Sequence, residues 1–255
     1  MPMSDQASLN SWIQPHHLQS DAIKNHHQLF TSHPARMLVI KQFLLAEVAR
    51  SLSRFLTYEA DFTTSYGLYT NANRYGNVPD ISERVWLEAD PRNRFYRFSE
   101  ITGALAQYSK SANLEMFRHF VTALKGDDFR SYFEEVSGIE LGPTPLVNAY
   151  SYRVGDFLSL HTDDVKDKRL SFVFYLSPQW EPDFGGTLHL IDRDGNVLEI
   201  SPEHNSLIIF DVTAKTEHFI SPVEASAGDK ARLTVSGWFL TPHKDDLQRK
   251  SEQNP

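Results

Sequence analysis

No cysteine occurs anywhere in this 255-residue sequence. Disulfides, thiolate-bound zinc, iron–sulfur clusters and thiol nucleophiles are thereby excluded, and the composition suits a reducing cytoplasm. Long apolar runs are missing too. The longest, at 38–46 and 206–212, fall far short of the roughly 20 residues that a membrane-spanning helix needs. The first dozen residues have no basic start followed by an apolar stretch, so neither a secretory leader nor a membrane partner is expected. Basic charge is also scarce: 25 Lys and Arg stand against 33 Asp and Glu, a formal net charge of −8. No Lys/Arg stripe interleaved with aromatics appears, which argues against nucleic acid as a partner. What remains is a soluble, cytoplasmic globule long enough to build its own core. Any metal it holds must be held by His, Asp or Glu.

Residues 1–35 are polar and carry His16, His17, His26, His27 and His33. Their spacing repeats no tight ligand pattern, so they read as a solvated N-terminal arm. Residues 36–60 read as one helix, because Leu38, Phe43, Leu44, Val48, Leu52, Phe55 and Leu56 recur at three- and four-residue intervals. Residues 61–98 suggest short strands and loops. Residues 99–136 read as helical again, with Gly103 and Gly126 as breaks. From 144 the texture changes to eight short runs rich in Val, Phe, Tyr and Thr, ending at 232–240. Arg193-Asp194-Gly195-Asn196 between two of them is a hairpin turn signal, since Asp-Gly readily adopts positive φ. The pattern predicts a mainly β fold with supporting helices, a sandwich or jelly-roll. One domain is expected over 36–241, its helical support at 36–143 and its β core at 144–241, followed by a polar tail at 242–255.

The chemistry concentrates in the segment 150–164. In a strand alternate side chains share a face, so His161 and Asp163 point the same way. His218 opens the next-to-last strand and can supply a third ligand. Two imidazoles and one carboxylate on one face of a metal form the facial triad of non-haem Fe(II) oxygenases, which leaves three adjacent positions open. Taken singly, each of these histidines could equally be a packed or surface residue. The context is richer, however. Fourteen residues after His218 comes Arg232, on a strand that alternates Arg232, Thr234, Ser236 and Trp238 with Leu233, Val235 and Phe239. A cation on the inward face of a buried strand is costly unless it meets an anion, and a guanidinium suits a carboxylate. That anion could also be one of the chain's own acids.

The order His-x-Asp, His, Arg-x-Thr and Gly-Trp-Phe resembles the prolyl-hydroxylase branch of the 2-oxoglutarate- and Fe(II)-dependent oxygenases. The resemblance covers about 144–241, and more weakly the Phe43-Leu44 region. Tyr152 in a Tyr-x-x-Gly-Asp-Phe-Leu context, Tyr175, and the Gly185-Gly186 turn add to it. It implies a double-stranded β-helix with Fe(II) on His161, Asp163 and His218, and with 2-oxoglutarate and O₂ as co-substrates. Arg232 and Tyr175 would hold the distal carboxylate of 2-oxoglutarate, Tyr152 its chelating end or the substrate, and Thr234 the pocket wall. Trp238 would line the substrate mouth, and ascorbate would serve as reductant. Because Asp163 keeps its carboxylate, hydroxylation is expected rather than halogenation. The substrate implied is a prolyl residue of a peptide or protein, such as an exposed loop of a translation component. The relatives that act on a ribosomal protein carry a second barrel domain for which this chain is too short. Two rivals stand beside this reading: a hydroxylase of a free amino acid or other metabolite, and a non-catalytic cupin-like binding barrel.

Overall fold

A computed structural model describes residues 8–70, 77–101, 110–163, 167–192, 194–214 and 216–242. Gly103, Leu105, Arg193 and the expected tail beyond 242 lie outside the described residues. The eight expected strands form close to where the sequence places them: β5 (Leu146–Tyr152), β6 (Phe157–His161), β7 (Lys168–Tyr175), β8 (Leu188–Ile191), β9 (Val197–Ile200), β10 (Ser206–Asp211), β11 (Glu217–Ile220) and β12 (Arg232–Leu240). Ahead of them come β1 (Met37–Ile40), β2 (Phe62–Tyr69), β3 (Asn77–Val78) and β4 (Arg94–Ile101). The strand order is β1-β10-β7-β12-β5-β4-β6-β11-β8-β9, with β2 pairing β4 and β3. β4 joins the two halves, pairing β5 at Ser99 and Glu100 and β6 at Tyr96 and Arg97. The antiparallel sheet curls so that β5, β7 and β12 face β6, β8 and β11 across a cavity, a double-stranded β-helix core.

Alternation on β7 and β12 decides what each side does. Leu170, Phe172, Phe174, Leu233, Val235 and Phe239 point away from the cavity into the main apolar cluster. There they meet α2 (Ala46–Tyr58), α4 (Ala112–Leu124) and α5 (Asp127–Ser137). Ring pairs such as Phe133–Phe239 at 5.1 Å and Phe120–Phe174 at 5.2 Å seal this layer. The helices start and stop where capping chemistry allows. Ser111 accepts the Leu114 N–H at 3.0 Å to open α4. Of the span 99–136 read as helical, residues 99–101 belong instead to β4, where they pair with β2, while Gly126 separates α4 from α5 as expected and Gly138 closes α5 at φ 68°.

Two other expectations need correction. Residues 36–60 are not one helix. Met37–Ile40 form the edge strand β1, paired to β10, and positive φ at Gln42 separates it from α2, as that at Arg36 separates it from α1. Four consecutive apolar residues with β-branched Val39 and Ile40 suit a strand, and the helical stripe is continuous only from Ala46. Nor do residues 8–32 behave as a solvated arm. Trp12, Ile13 and Phe30 are buried in the main cluster, the Leu45 N–H bonds Trp12 O at 2.8 Å, and α1 (Ser20–Ser32) packs on α5. Three large apolar anchors at irregular spacing do this, and a polar average hides them. The predicted hairpin joins β8 to β9, with Gly195 at φ 82°. Among the described residues no helix is long and apolar enough to cross a membrane.

Candidate metal centre and co-substrate cavity

His161 ends β6 and pairs directly with His218 of β11, which brings the two rings to 4.2 Å. Asp163 follows two residues after His161. His161 Nε2 lies 3.7 Å from Asp163 Oδ1 and His218 Nε2 lies 3.6 Å from Asp163 Oδ2. Among the described residues these three form the single group whose ligand atoms all fall within 4.8 Å of one another. Main-chain carbonyls fix both imidazoles. Ser159 O lies 2.9 Å from His161 Nδ1 and Thr216 O lies 3.1 Å from His218 Nδ1. Each Nδ1 therefore carries the proton, and each Nε2 offers its lone pair toward Asp163. Burial and the neighbouring His218 push the His161 pKa down to about 4, so it is neutral at physiological pH. Burial alone would raise Asp163, but His218, His161, Lys168 and Trp238 more than reverse that, and it stays ionised. Two imidazole nitrogens and one carboxylate fit a divalent first-row cation.

The group opens on a cavity of about 700 Å³ between the two halves of the sheet. Arg232, Thr234, Tyr152 and Trp238 line the same cavity. Tyr175, fully buried, is not among its lining residues and contacts Arg232 instead. Arg232 is only 2% exposed. Its Nη2 donates to the Tyr175 hydroxyl at 3.1 Å, and its guanidinium carbon stands 4.9 Å from the ring centres of both Tyr152 and Tyr175. Its Nε has no partner, and among the described residues no carboxylate pairs with it. A buried guanidinium cannot shed its proton, so this unsatisfied cation calls for an anion from outside the chain. A dicarboxylate bound between metal and Arg232 would supply it. Gly185 and Gly186, at φ 67° and 63°, make room. A Cβ on Gly185 would sit 2.3 Å from Pro222 O, and one on Gly186 3.0 Å from Arg232 Cδ.

Trp238 differs in detail from its expected place at a substrate mouth. It lines the cavity, but its indole Nε1 donates to Asp163 Oδ2 at 2.7 Å. Several cavity residues escaped the sequence reading. Lys168 lies 3.7 Å from Asp163 Oδ1. Phe95 meets His161 edge-on at 5.6 Å and packs 4.8 Å from Tyr69, whose hydroxyl donates to Leu160 O at 2.8 Å. These rings come from β2 and β4, where the sequence suggested only mixed strands and loops. The alternation in Tyr96-Arg97-Phe98 marks a strand, but Phe95 has the parity of Arg97, so it does not single out these rings. His189 stacks flat on Phe219 at 4.4 Å and takes no part in the cavity lining.

Residues 147–240 match the family model of the 2OG-Fe(II) oxygenase superfamily. Over those residues the chain is similar to that superfamily. The curated relatives it resembles are named as prolyl hydroxylases. It is 37% identical over 122 residues to the mouse prolyl 3-hydroxylase OGFOD1, covering 46% of this chain and 22% of that one. It is 32% identical over 174 residues to the Xenopus laevis prolyl 3-hydroxylase OGFOD1, covering 66% and 32%. The chain thus spans about a third or less of the length of these curated relatives. The fold is shared with a Pseudomonas putida prolyl-4-hydroxylase, at 19% identity and TM-score 0.56 over 86% of this chain and 98% of that one. A Trichoplax adhaerens prolyl hydroxylase, solved with a hypoxia inducible factor oxygen degradation domain peptide fragment, matches at 14% identity and TM-score 0.55 over 93% and 98%.

Proposed function

We propose that this chain is an Fe(II)- and 2-oxoglutarate-dependent dioxygenase that hydroxylates a prolyl residue in a peptide or protein. The observation that carries the reading is the pairing, in one cavity, of the His161–Asp163–His218 group with the buried Arg232 cation, whose Nε has no hydrogen-bond partner. His161, Asp163 and His218 would hold the metal. When bound, iron would supply O₂ activation coupled to oxidative decarboxylation of 2-oxoglutarate to succinate and CO₂, with one oxygen atom delivered to a substrate C–H bond. The chain's own work is positioning. Arg232 and Tyr175 take the distal carboxylate in a charge-assisted contact, Thr234 and Tyr152 wall the pocket, and the buried aromatic lining excludes water. Tyr69 and Phe95, inclined at 51° to each other, offer an apolar wall beside His161 that suits a pyrrolidine ring. The prolyl assignment is supported by what the relatives are named for. Within that class, the narrower substrate we propose is an exposed proline-containing loop of a translation component, on the strength of the motif resemblance.

The test is incubation of protein, Fe(II), 2-oxoglutarate and ascorbate with host lysate. Succinate release and a single added oxygen on proline in a tryptic peptide are expected, both absent with His161→Ala. Succinate release stimulated by a free amino acid, with no protein modified, would transfer the case to a metabolite hydroxylase. Absence of both succinate and 2-oxoglutarate binding would leave a cupin-like binding barrel.

A further inference from the structure

A carboxylate that ligates a metal can use one oxygen or both. The distinction matters here, because a chelating 2-oxo acid and O₂ together need three open positions, and a second carboxylate oxygen would occupy one of them. Asp163 is not free to choose. Trp238 Nε1 donates to its Oδ2 at 2.7 Å, and Asp163 is nine-tenths buried, so water cannot replace that bond cheaply.

The indole is itself held. Ser171 and Val173 of β7 face the cavity, so strict alternation would send Arg169 there and turn Lys168 toward the helices with Leu170 and Phe172. The register breaks instead. Phe239 pairs with Leu170, but Leu240 pairs with Lys168, so two steps on β7 answer one on β12. A bulge of this kind re-aims a side chain. It brings Lys168 to the cavity face, where its Nζ sits 3.4 Å from the centre of the Trp238 ring and 3.7 Å from Asp163 Oδ1. The ammonium sits over the face of the indole and holds the ring.

We infer that Trp238 is a positioning residue for the metal centre: its indole N–H engages Asp163 Oδ2, leaving Oδ1 as the single oxygen offered to the metal, with the bulge-directed Lys168 seating the ring. This inference rests on the metal assignment made above. It gives Trp238 a role other than stacking on substrate, and gives the irregularity at the start of β7 a purpose.

The probe is Co(II) added to the metal-free full chain, read by calorimetry and by its visible absorption, which reports coordination number. Trp238→Phe keeps a ring for Lys168 but removes the N–H. Its Co(II) affinity should fall about tenfold to hundredfold, as for other groups that orient a metal ligand, and the absorption band should change shape. Lys168→Met spares the N–H bond and removes a positive charge beside the cation while unseating the ring, so any loss of affinity should be smaller than in Trp238→Phe. Unchanged affinity and spectrum in Trp238→Phe would overturn the inference. An equal loss in Lys168→Met would do the same, by making the ammonium the agent. Failure of the unmodified protein to bind Co(II) would instead remove the metal assignment itself. A second measurement needs no variant. With ¹⁵N-labelled indoles, the Trp238 N–H should stay slow to exchange before and after Zn(II) is added. Fast exchange in the Zn(II) form would overturn the inference.

Discussion

Two regions of this molecule gather buried histidines, and only one has the makings of a site. In the N-terminal layer the His16 and His17 rings lie 3.9 Å apart, tilted at 47°, and His17 lies 5.5 Å from His26. His17 and His26 are buried, and His26 Nδ1 has no partner. In the cavity His161 and His218 stand 4.2 Å apart. Ring proximity and burial are therefore alike. The difference lies in anchoring and convergence. Both cavity imidazoles have Nδ1 on a main-chain carbonyl and Nε2 near one carboxylate. In the N-terminal layer His17 Nε2 is the atom near a carbonyl, that of Lys41 at 3.2 Å, and no carboxylate joins the group. Histidine density does not make a metal centre; convergent lone pairs on a shared anion do.

The most severe way to break this comparison is to delete one histidine from each region. His218→Ala should abolish Fe(II) or Co(II) binding and all turnover while the fold survives. His26→Phe should leave metal affinity unchanged. Equal metal loss in both, measured by calorimetry, would show that the comparison is wrong. Next in size comes the packing face of β12. Phe239→Ala removes a fully buried ring against Phe133 and Phe172 and should cost roughly 3–5 kcal/mol of folding stability. Denaturant unfolding checks that, and Co(II) affinity of the folded fraction should not change. The opposite face of the same strand should behave in reverse. Arg232→Ala should weaken 2-oxoglutarate binding by about 2–4 kcal/mol, a thirtyfold to several-hundredfold rise in Kd, and Arg232→Lys by less, because charge stays but the fork is lost. Since the cation is uncompensated without ligand, Arg232→Met should raise the melting temperature of the ligand-free protein. A lower melting temperature together with intact 2-oxoglutarate affinity would make Arg232 a structural residue.

The β core was legible because its signals are local. Strand alternation placed Arg232, Thr234, Ser236 and Trp238 on one face and Leu233, Val235 and Phe239 on the other, and the structure keeps both sets. His161 and Asp163 come together as the reading expected although β6 ends at His161, and His218 stands one residue into β11, opposite His161. What escaped depends on irregularity or long range. Lys168 was invisible because a bulge reverses the parity that would have chosen Arg169. Tyr69 and Phe95 come from strands added at the sheet junction, whose pairing no periodicity announces. Residues 8–32 looked solvated because Trp12, Ile13 and Phe30 are spaced by no period at all, yet each is at most 5% exposed. The strand β1 looked helical because four apolar residues in a row fit either period.

The smallest expected effect sharpens the comparison with pH. Burial, then the nearby His17 and His16, push the His26 pKa down to about 4. In the unfolded chain it returns to about 6.5. The unfolded state therefore takes up a proton that the folded state refuses, so the stability His26 permits is complete above about pH 6.5 and is lost progressively as pH falls toward 4. His17 is shifted the same way, mainly by its burial, and adds to the loss. In metal-free protein His161 should contribute too. Loading the centre with Zn(II) should cancel that share, because a metal-bound Nε2 cannot protonate in this range, while the N-terminal share stays. Amide exchange at pH 7 and pH 5, corrected for intrinsic rate, should then show α1 opening more often at the lower pH and β6 and β11 unchanged in the Zn(II) form. His26→Phe should flatten the response of α1, since a ring of similar bulk remains but no proton is taken up. If α1 in the Zn(II) form were equally protected at both values, His26 would be finding a partner for its proton, and the contrast between the two histidine groups would rest on the carboxylate alone.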